Sequence, residues 1–245
     1  MERGKISAGS YDLNKWLLGG YEKDIITTIY GSAGSGKTNF CLLAAVSQAK
    51  KGNKVIFIDT EGGFSTERLK QIAQDKTDEI MTRILLLKPT SFSEQQKSFN
   101  ILLNELKGKK EIGVIIVDGI TMLYRLELAE AARSSNKRQI QDINSKLANQ
   151  MRILAEIARK EHIPIIVTNQ VYSEFLSEEE FREGREKKIA MVGGDILKYW
   201  SKCIIELQNS EGRKKAILIK HRSLPQKELS FIITNTGILR TWRIF

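Results

Sequence analysis

Cysteine and histidine are scarce, two of each in 245 residues. Cys41 and Cys203 cannot build a disulfide framework, and so few histidines leave a Cys/His zinc site without support. A reduced, cytoplasmic setting is the default expectation. No run approaches 18 consecutive apolar residues, which excludes a membrane-spanning helix, and no membrane partner is expected. The opening stretch, MERGKISAGSYDLNKW, lacks the apolar centre of a secretory signal. Neither an internal repeat nor a low-complexity linker is present, so one domain over 1–245 is expected, with 1–23 as a lead-in segment. At 41% hydrophobic and 28% charged residues the composition is that of a folded globular chain. What the chain has in excess is positive charge, 39 Lys+Arg against 29 Asp+Glu, for a formal +10. Nine basic and three acidic residues lie beyond position 201, so the excess is concentrated towards the C-terminal end. Such a balance suits a polyanionic partner but says nothing of fold.

The apolar pattern alternates between strand and helix. Ile25–Tyr30, Lys54–Asp59, Ile112–Val117 and Ile163–Thr168 are short β-branched runs of the kind buried on both faces of a parallel sheet. Between them, Asn39–Lys50 and Lys137–Glu161 carry apolar residues three or four apart, and Ser91 with Glu94 forms a capping box for a helix through Leu106. Four short runs, Cys203–Leu207, Ala216–Lys220, Leu229–Thr234 and Ile238–Arg243, are joined by turn residues. The expected fold is therefore α/β, a mostly parallel central sheet flanked by helices, with antiparallel strands added at the C-terminal end.

The strongest motif is Gly31-Ser32-Ala33-Gly34-Ser35-Gly36-Lys37-Thr38, a match to G-x-x-x-x-G-K-[ST] placed between a strand and a helix. Its glycines let the backbone wrap a phosphate, and the N–H groups at the helix start supply an anion site. Lys37 is expected on the β- and γ-phosphates of ATP, and Thr38 on Mg²⁺. Asp118 ends a buried run and is placed to hold the Mg²⁺ shell through water, although aspartate is also common where a strand gives way to a loop. Glu61, in Asp59-Thr-Glu61-Gly62-Gly63, is either a base for the water attacking the γ-phosphate or an exposed acid ahead of a Ser65-capped helix. The amides of Asn169 and Gln170 end the last buried run, where they either sense a phosphate or form a turn. Lys220 and Arg222 either lend charge to a phosphate or form a solvated basic strand end.

In order, these pieces resemble the RecA-like recombinases, most closely the archaeal RadB family, over nearly the whole chain. The resemblance begins at Ile6-Ser-Ala-Gly-Ser-Tyr-Asp-Leu-Asn-Lys-Trp-Leu-Leu-Gly-Gly20. It continues through the glycine loop, Asp59-Thr-Glu61-Gly62, Asp118, Asn169-Gln170 and Gly193-Gly194-Asp195 to Lys220-His-Arg-Ser-Leu-Pro225. It implies a P-loop NTPase fold, Glu61 as the water-activating carboxylate, and Asn169-Gln170 as a γ-phosphate sensor pair. It further implies that Lys220 and Arg222 act across a subunit boundary, hence a homo-oligomer, with Pro225 over a nucleotide base.

Departures from that pattern restrain the functional expectation. About 24 residues precede the first strand, too few for the N-terminal DNA-binding domain of the main archaeal recombinase, and no Phe-x-x-Ala linker precedes Ile6. The segment 171–192, expected as a flexible loop, stands in place of the second DNA-contacting loop. It sets Arg182, Arg185, Lys187 and Lys188 against six glutamates, whereas a loop lying along phosphates is normally positive. Its aromatics Tyr172, Phe175 and Phe181 either stack on bases or pack the loop down. Arg125, Arg133, Lys137 and Arg138, around the first such loop, are either DNA contacts or a solvated helix start. The leading expectation is an ATP-binding, Mg²⁺-dependent DNA repair and recombination protein, a recombinase paralogue. It would bind single- or double-stranded DNA without sequence preference, hydrolyse ATP weakly and perform no strand exchange of its own. The alternatives are a nucleotide-gated module regulating recombination or branched-DNA processing proteins, and a ring-forming ATPase.

Overall fold

The computed structural model describes residues 4–108, 111–134, 137–173, 189–210 and 213–241. Its strands in chain order are β1 (Lys5–Ile6), β2 (Tyr21–Glu22), β3 (Ile26–Gly31), β4 (Lys54–Asp59), β5 (Ile84–Leu87) and β6 (Ile112–Asp118). They continue with β7 (Ile165–Ser173), β8 (Ile189–Met191), β9 (Cys203–Ser210), β10 (Arg213–His221), β11 (Lys227–Thr234) and β12 (Gly237–Arg240). The α-helices are α1 (Tyr11–Trp16), α2 (Lys37–Ala49), α3 (Thr66–Ala73), α4 (Thr77–Arg83), α5 (Phe92–Glu105), α6 (Met122–Arg133), α7 (Lys137–Glu161) and α8 (Gly194–Trp200). Among the described residues no helix is long and apolar enough to cross a membrane.

Because β3, β4, β6 and β7 are apolar on both faces, each must be covered twice, and a parallel sheet with helices on either side does this. The sheet runs β12-β11-β10-β9-β3-β7-β6-β4-β5, with β8 against β7. From β9 to β5 all neighbours are parallel, so their C-terminal ends share one edge, where open α/β sheets bind ligands. Strands β10, β11 and β12 extend the sheet antiparallel beyond β9, in agreement with the α/β expectation.

Side chains alternate across each strand, and the alternation builds two cores. Ile116 and Ile166 join Phe40, Leu43 and Phe231 on the face covered by α2. Ile115, Val117, Ile165 and Val167 join Leu147, Met151 and Leu154 of α7 on the other. Helix α7 has the expected limits, Lys137–Glu161.

Several elements differ from the sequence pattern. Residues 171–173 extend β7 and pair antiparallel with 189–191, so the ends of the expected loop 171–192 are strand; residues 174–188 lie outside the described residues. The lead-in forms its own hairpin, β1 with β2, too short for periodicity to reveal. The capping box is half made. Ser91 Oγ accepts from the Glu94 N–H at 3.2 Å, but the Glu94 carboxylate accepts from Thr90 N and Oγ1, both at 2.8 Å. Strand β12 runs Gly237–Arg240, and Trp242 and Arg243 of the expected run lie outside the described residues.

The C-terminal strands are part of the first core. Phe231 of β11 meets Phe40 of α2 edge to face, ring centroids 5.5 Å apart, and Phe231 is fully buried. Phe231→Ala should therefore cost about 3–5 kcal/mol in urea unfolding, well above the cost of truncating exposed Ile232 beside it.

Candidate functional site

The glycine loop joins β3 to α2 at the C-terminal edge of the sheet. Gly34 (φ 72°) and Gly36 (φ 110°) lie in the left-handed region, which the turn into α2 requires and which other residues adopt only with strain. Gly31 is close-packed instead, since a Cβ there would lie 2.2 Å from the Leu207 carbonyl oxygen of β9. Ser32, Ala33 and Gly34 form the exposed outer bend, while Ser35 is buried and its Oγ has no partner. Lys37 Nζ donates to the carbonyls of Gly31 and Ser32, both at 3.0 Å. Burial lowers the Lys37 pKa, and the charges of Glu61 and Asp118 oppose that shift. From the C-terminal hairpin, Lys214 Nζ donates to the Gly34 carbonyl at 2.6 Å and pins the outer bend.

Asp118, at the end of β6, is 1% exposed. Its Oδ2 accepts from Thr38 Oγ1 at 2.7 Å and its Oδ1 from Thr168 Oγ1 at 2.5 Å. Burial raises its pKa, and the two hydroxyls counteract that shift. Glu61 stands beside this pair. Its Oε2 accepts from Gln170 Nε2 at 2.9 Å, and its Oε1 is buried without a partner. The loop carrying Glu61 is braced by Asp59, whose carboxylate accepts from Gly63 N at 3.1 Å and Phe64 N at 3.0 Å. Two glycines leave room around the acids. A Cβ on Gly119 would come within 2.5 Å of Glu61 Cγ, and one on Gly63 within 3.1 Å of Thr38 Oγ1.

These groups fit Mg²⁺ and a polyphosphate. Among the described residues no cluster of three or more His, Cys, Asp or Glu could cage a metal by itself. A hydroxyl and a single carboxylate are what Mg²⁺ uses when phosphates and water complete its shell. Ser35 Oγ, beside Gly31, and Glu61 Oε1, beside Gly119, are buried polar atoms without a partner.

The adjacent amides Asn169 and Gln170 face opposite ways. Gln170 points towards Glu61, but Asn169 is fully buried on the opposite face, because successive strand residues alternate. Its Oδ1 accepts from Thr121 Oγ1 and its Nδ2 donates to the Val192 carbonyl at 2.7 Å, so both ends of the amide are engaged within the protein.

Lys220 and Arg222 lie far from the glycine loop of their own chain. Strand register sets His221 opposite Cys203, and Cys203 opposite Thr27. That is four residues, or roughly 13 Å, below Gly31 along β3. Lys220 Nζ donates to the Lys198 carbonyl at 2.9 Å, and burial and then the charge of Lys202 lower its pKa. Arg222 is not free: its Nε donates to buried Glu22, and its terminal nitrogens donate to Asp24 at 3.1 and 3.3 Å. The sequence pattern offered no sign of this link to the lead-in. Pro225 is exposed at the same end.

Arg125, Arg133, Lys137 and Arg138 are exposed on the α6–α7 hairpin. Arg133, Lys137 and Arg138 gather at its tip, while Arg125 is eight residues back along α6. Arg182, Arg185, Lys187 and Lys188, with Phe175 and Phe181, lie outside the described residues. Tyr172 sits in β7, paired with Ala190. Thr168 was missing from the sequence-based site, although a threonine two residues before Gln170 on a strand shares its face. Arg68 was also missing and no motif marks it: it donates to Asn39 Oδ1 at 2.7 Å and to the Thr234 and Asn235 carbonyls, tying α3 and β11 beside the start of α2.

The raised Asp118 pKa has opposite consequences for two measurements. Ionised Asp118 costs the nucleotide-free fold stability at neutral pH, and that cost is relieved as pH falls through the raised pKa. Mg²⁺ held on Asp118 would need the ionised form, so Mg²⁺-dependent nucleotide binding is expected in full above that pKa and weaker below it. Asp118→Asn should raise the melting temperature without nucleotide, lower Mg²⁺-dependent affinity by about 10–100-fold, and flatten both pH profiles. Calorimetry with and without Mg²⁺ reads each of these.

Comparison with known proteins agrees with this arrangement. The Rad51 family model matches residues 2–241. "DNA repair and recombination protein RadB" of Methanobrevibacter smithii is 37% identical over 233 residues, covering 93% of this chain and 92% of its own length. The proteins of that name from Methanococcoides burtonii and Methanocaldococcus jannaschii are each 40% identical, over 92% of this chain and 93% and 98% of their own lengths. With the fold, the glycine loop and this extent of similarity in agreement, the chain belongs to the Rad51 family of RecA-like proteins, in its RadB branch.

Proposed function

We propose that this chain binds ATP with Mg²⁺ and binds DNA, hydrolyses ATP slowly and assists recombinational repair without performing strand exchange itself. The observation that carries the reading is the convergence of Lys37, Thr38, Asp118, Glu61 and Gln170 at one sheet edge. Thr38 and Asp118 would hold Mg²⁺, which supplies charge neutralisation at the phosphates. Lys37 exchanges the Gly31 and Ser32 carbonyls for phosphate oxygens. Glu61, oriented by Gln170 through Oε2, turns its other oxygen towards the attacking water and takes its proton.

Slow turnover follows from what a single copy cannot reach. A cation at the γ-phosphate in addition to the P-loop lysine is worth about 10³–10⁵ in rate where ATPases use one. Lys220 and Arg222 lie at the other end of the sheet, and Arg222 is already paired with Glu22 and Asp24. The acidic balance of 171–192 argues against a second loop that grips DNA tightly enough for strand exchange. A ring ATPase has less support here, since its motivating Arg222 is engaged within the chain. A protein-interaction role has one observation in its favour: Ile232 and Leu239 face each other across β11 and β12, both exposed, near exposed Tyr11.

DNA contact is assigned to the tip of the α6–α7 hairpin. Helix α7 is about 37 Å long, whereas β7 up to Gln170 spans about 20 Å. Its first fully buried residue is Ile143 and Ile140 packs against the same core, so residues 137–139 precede its core contacts. Lys137 and Arg138 then sit at a helix N-terminus with no acidic residue in the first turn, where the helix dipole disfavours cations unless an anion is near.

Two measurements test these assignments. Glu61→Gln should keep nucleotide affinity and lose turnover by about 10²–10⁴-fold; an unchanged rate would remove Glu61 as the base, and DNA-free partner capture in this variant would favour the interaction reading. In fluorescence titrations of single- and double-stranded DNA, Arg133→Ala with Arg138→Ala should reduce the slope of log affinity against log salt by about 1.4–1.8. If the wild-type protein shows no salt-dependent binding, the DNA assignment fails.

A further inference from the structure

Asn169 has exchanged a place at the phosphates for a position between two segments that leave the site edge. Thr121 precedes α6 and therefore the α6–α7 hairpin. Val192 follows β8, the return strand of the β7–β8 hairpin. Both contact the Asn169 side chain, one as donor and one as acceptor, and all three residues are buried: Thr121 2%, Asn169 0% and Val192 6% exposed. Backbone contacts reinforce the junction, because Val192 N donates to the Gln170 carbonyl at 3.4 Å and Ile120 N to the Thr168 carbonyl at 3.1 Å. Gly193 is seated against the Thr121 methyl, where a Cβ would lie 3.6 Å from Thr121 Cγ2.

We propose that Asn169 is a positioning residue whose side chain clips the root of the α6–α7 hairpin to the return of the β7–β8 hairpin. A buried amide with both ends satisfied has one arrangement, and shifting either hairpin alone would leave a buried donor or acceptor unpaired. The two hairpins thus move together or not at all. The neighbours of Asn169 on β7 connect the clip to the nucleotide: Thr168 donates to Asp118, and Gln170 donates to Glu61. A change in how Glu61 or Asp118 is engaged therefore displaces the strand segment that carries the clip. The link from clip to DNA affinity rests on the reading of the α6–α7 tip as a DNA contact; the clip does not.

Amide hydrogen exchange on the full chain, with and without a non-hydrolysable ATP analogue, tests the clip without DNA. Thr121→Val removes the hydroxyl donor and keeps the volume. It should speed exchange at 189–193 and 122–126 together by on the order of tenfold, leaving 31–38 and nucleotide affinity within about twofold. Thr121→Ser, which keeps the hydroxyl, should restore wild-type protection. Thr121→Ala provides the same reading should the valine variant fold poorly. Unchanged protection at 189–193, loss spread equally over 31–38, or failure of serine to restore protection would each overturn the clip. In the DNA arm, Thr121→Val should weaken nucleotide-dependent DNA affinity about tenfold and leave nucleotide-free affinity unchanged. Wild-type protein that binds no DNA defeats the functional reading and leaves the exchange result to decide the clip.

Discussion

A carboxylate removed from water at the end of β6 is the constraint around which the site is arranged. Burying Asp118 without partners would cost several kcal/mol, and its two hydroxyl partners come from different elements. Thr38 is supplied by the helix after β3 and Thr168 by β7, so satisfying Asp118 brings three adjacent strand ends into register. Thr168 Oγ1 also accepts from Gly119 N at 2.7 Å, which fixes the turn leaving Asp118. The same turn passes beside Glu61, where only the absence of a side chain on Gly119 leaves space. One desolvated charge thereby sets the spacing of the Thr38 hydroxyl, the Asp118 carboxylate and Glu61.

Strand parity decides what each residue of Thr168-Asn169-Gln170 does, and it shows where reading the sequence succeeded and where it stopped. The buried runs, α7 and the glycine loop were legible because each has a period or a spacing that one physical requirement imposes. Glu61 and Asp118 were legible because they follow such runs. Asn169 was read as a partner of Gln170 because the two are adjacent, yet adjacency in a strand means opposite faces. Thr168, two residues from Gln170, shares its face by the same period and lies against Asp118. The Arg222 pairing was hidden for another reason: its partners Glu22 and Asp24 are some 200 residues away, and nothing local encodes that contact.

The positive excess near the C-terminus also divides once the partners are known. Lys214 holds the glycine loop, Lys215 pairs with Glu228 at 2.9 Å, and Arg222 is neutralised by the lead-in. Lys198, Lys202 and Lys220 remain together at the end of the sheet away from the glycine loop. Much of the charge that looked like an attraction for nucleic acid is therefore engaged in internal contacts, and the cations at the α6–α7 tip stand out against it.

The positions of those two ends limit the geometry of any assembly that uses both. The glycine-loop edge and a basic edge at opposite poles of one sheet are different surfaces. A two-fold dimer would have to lay two sheets side by side and antiparallel to pair them, whereas a heterologous contact, one copy's upper pole on the next copy's lower pole, either closes by rotation or propagates. In an open stack each internal copy would both receive a cation and lend one. The two terminal copies would each lack one of these roles, so turnover per chain would rise with the length of the stack.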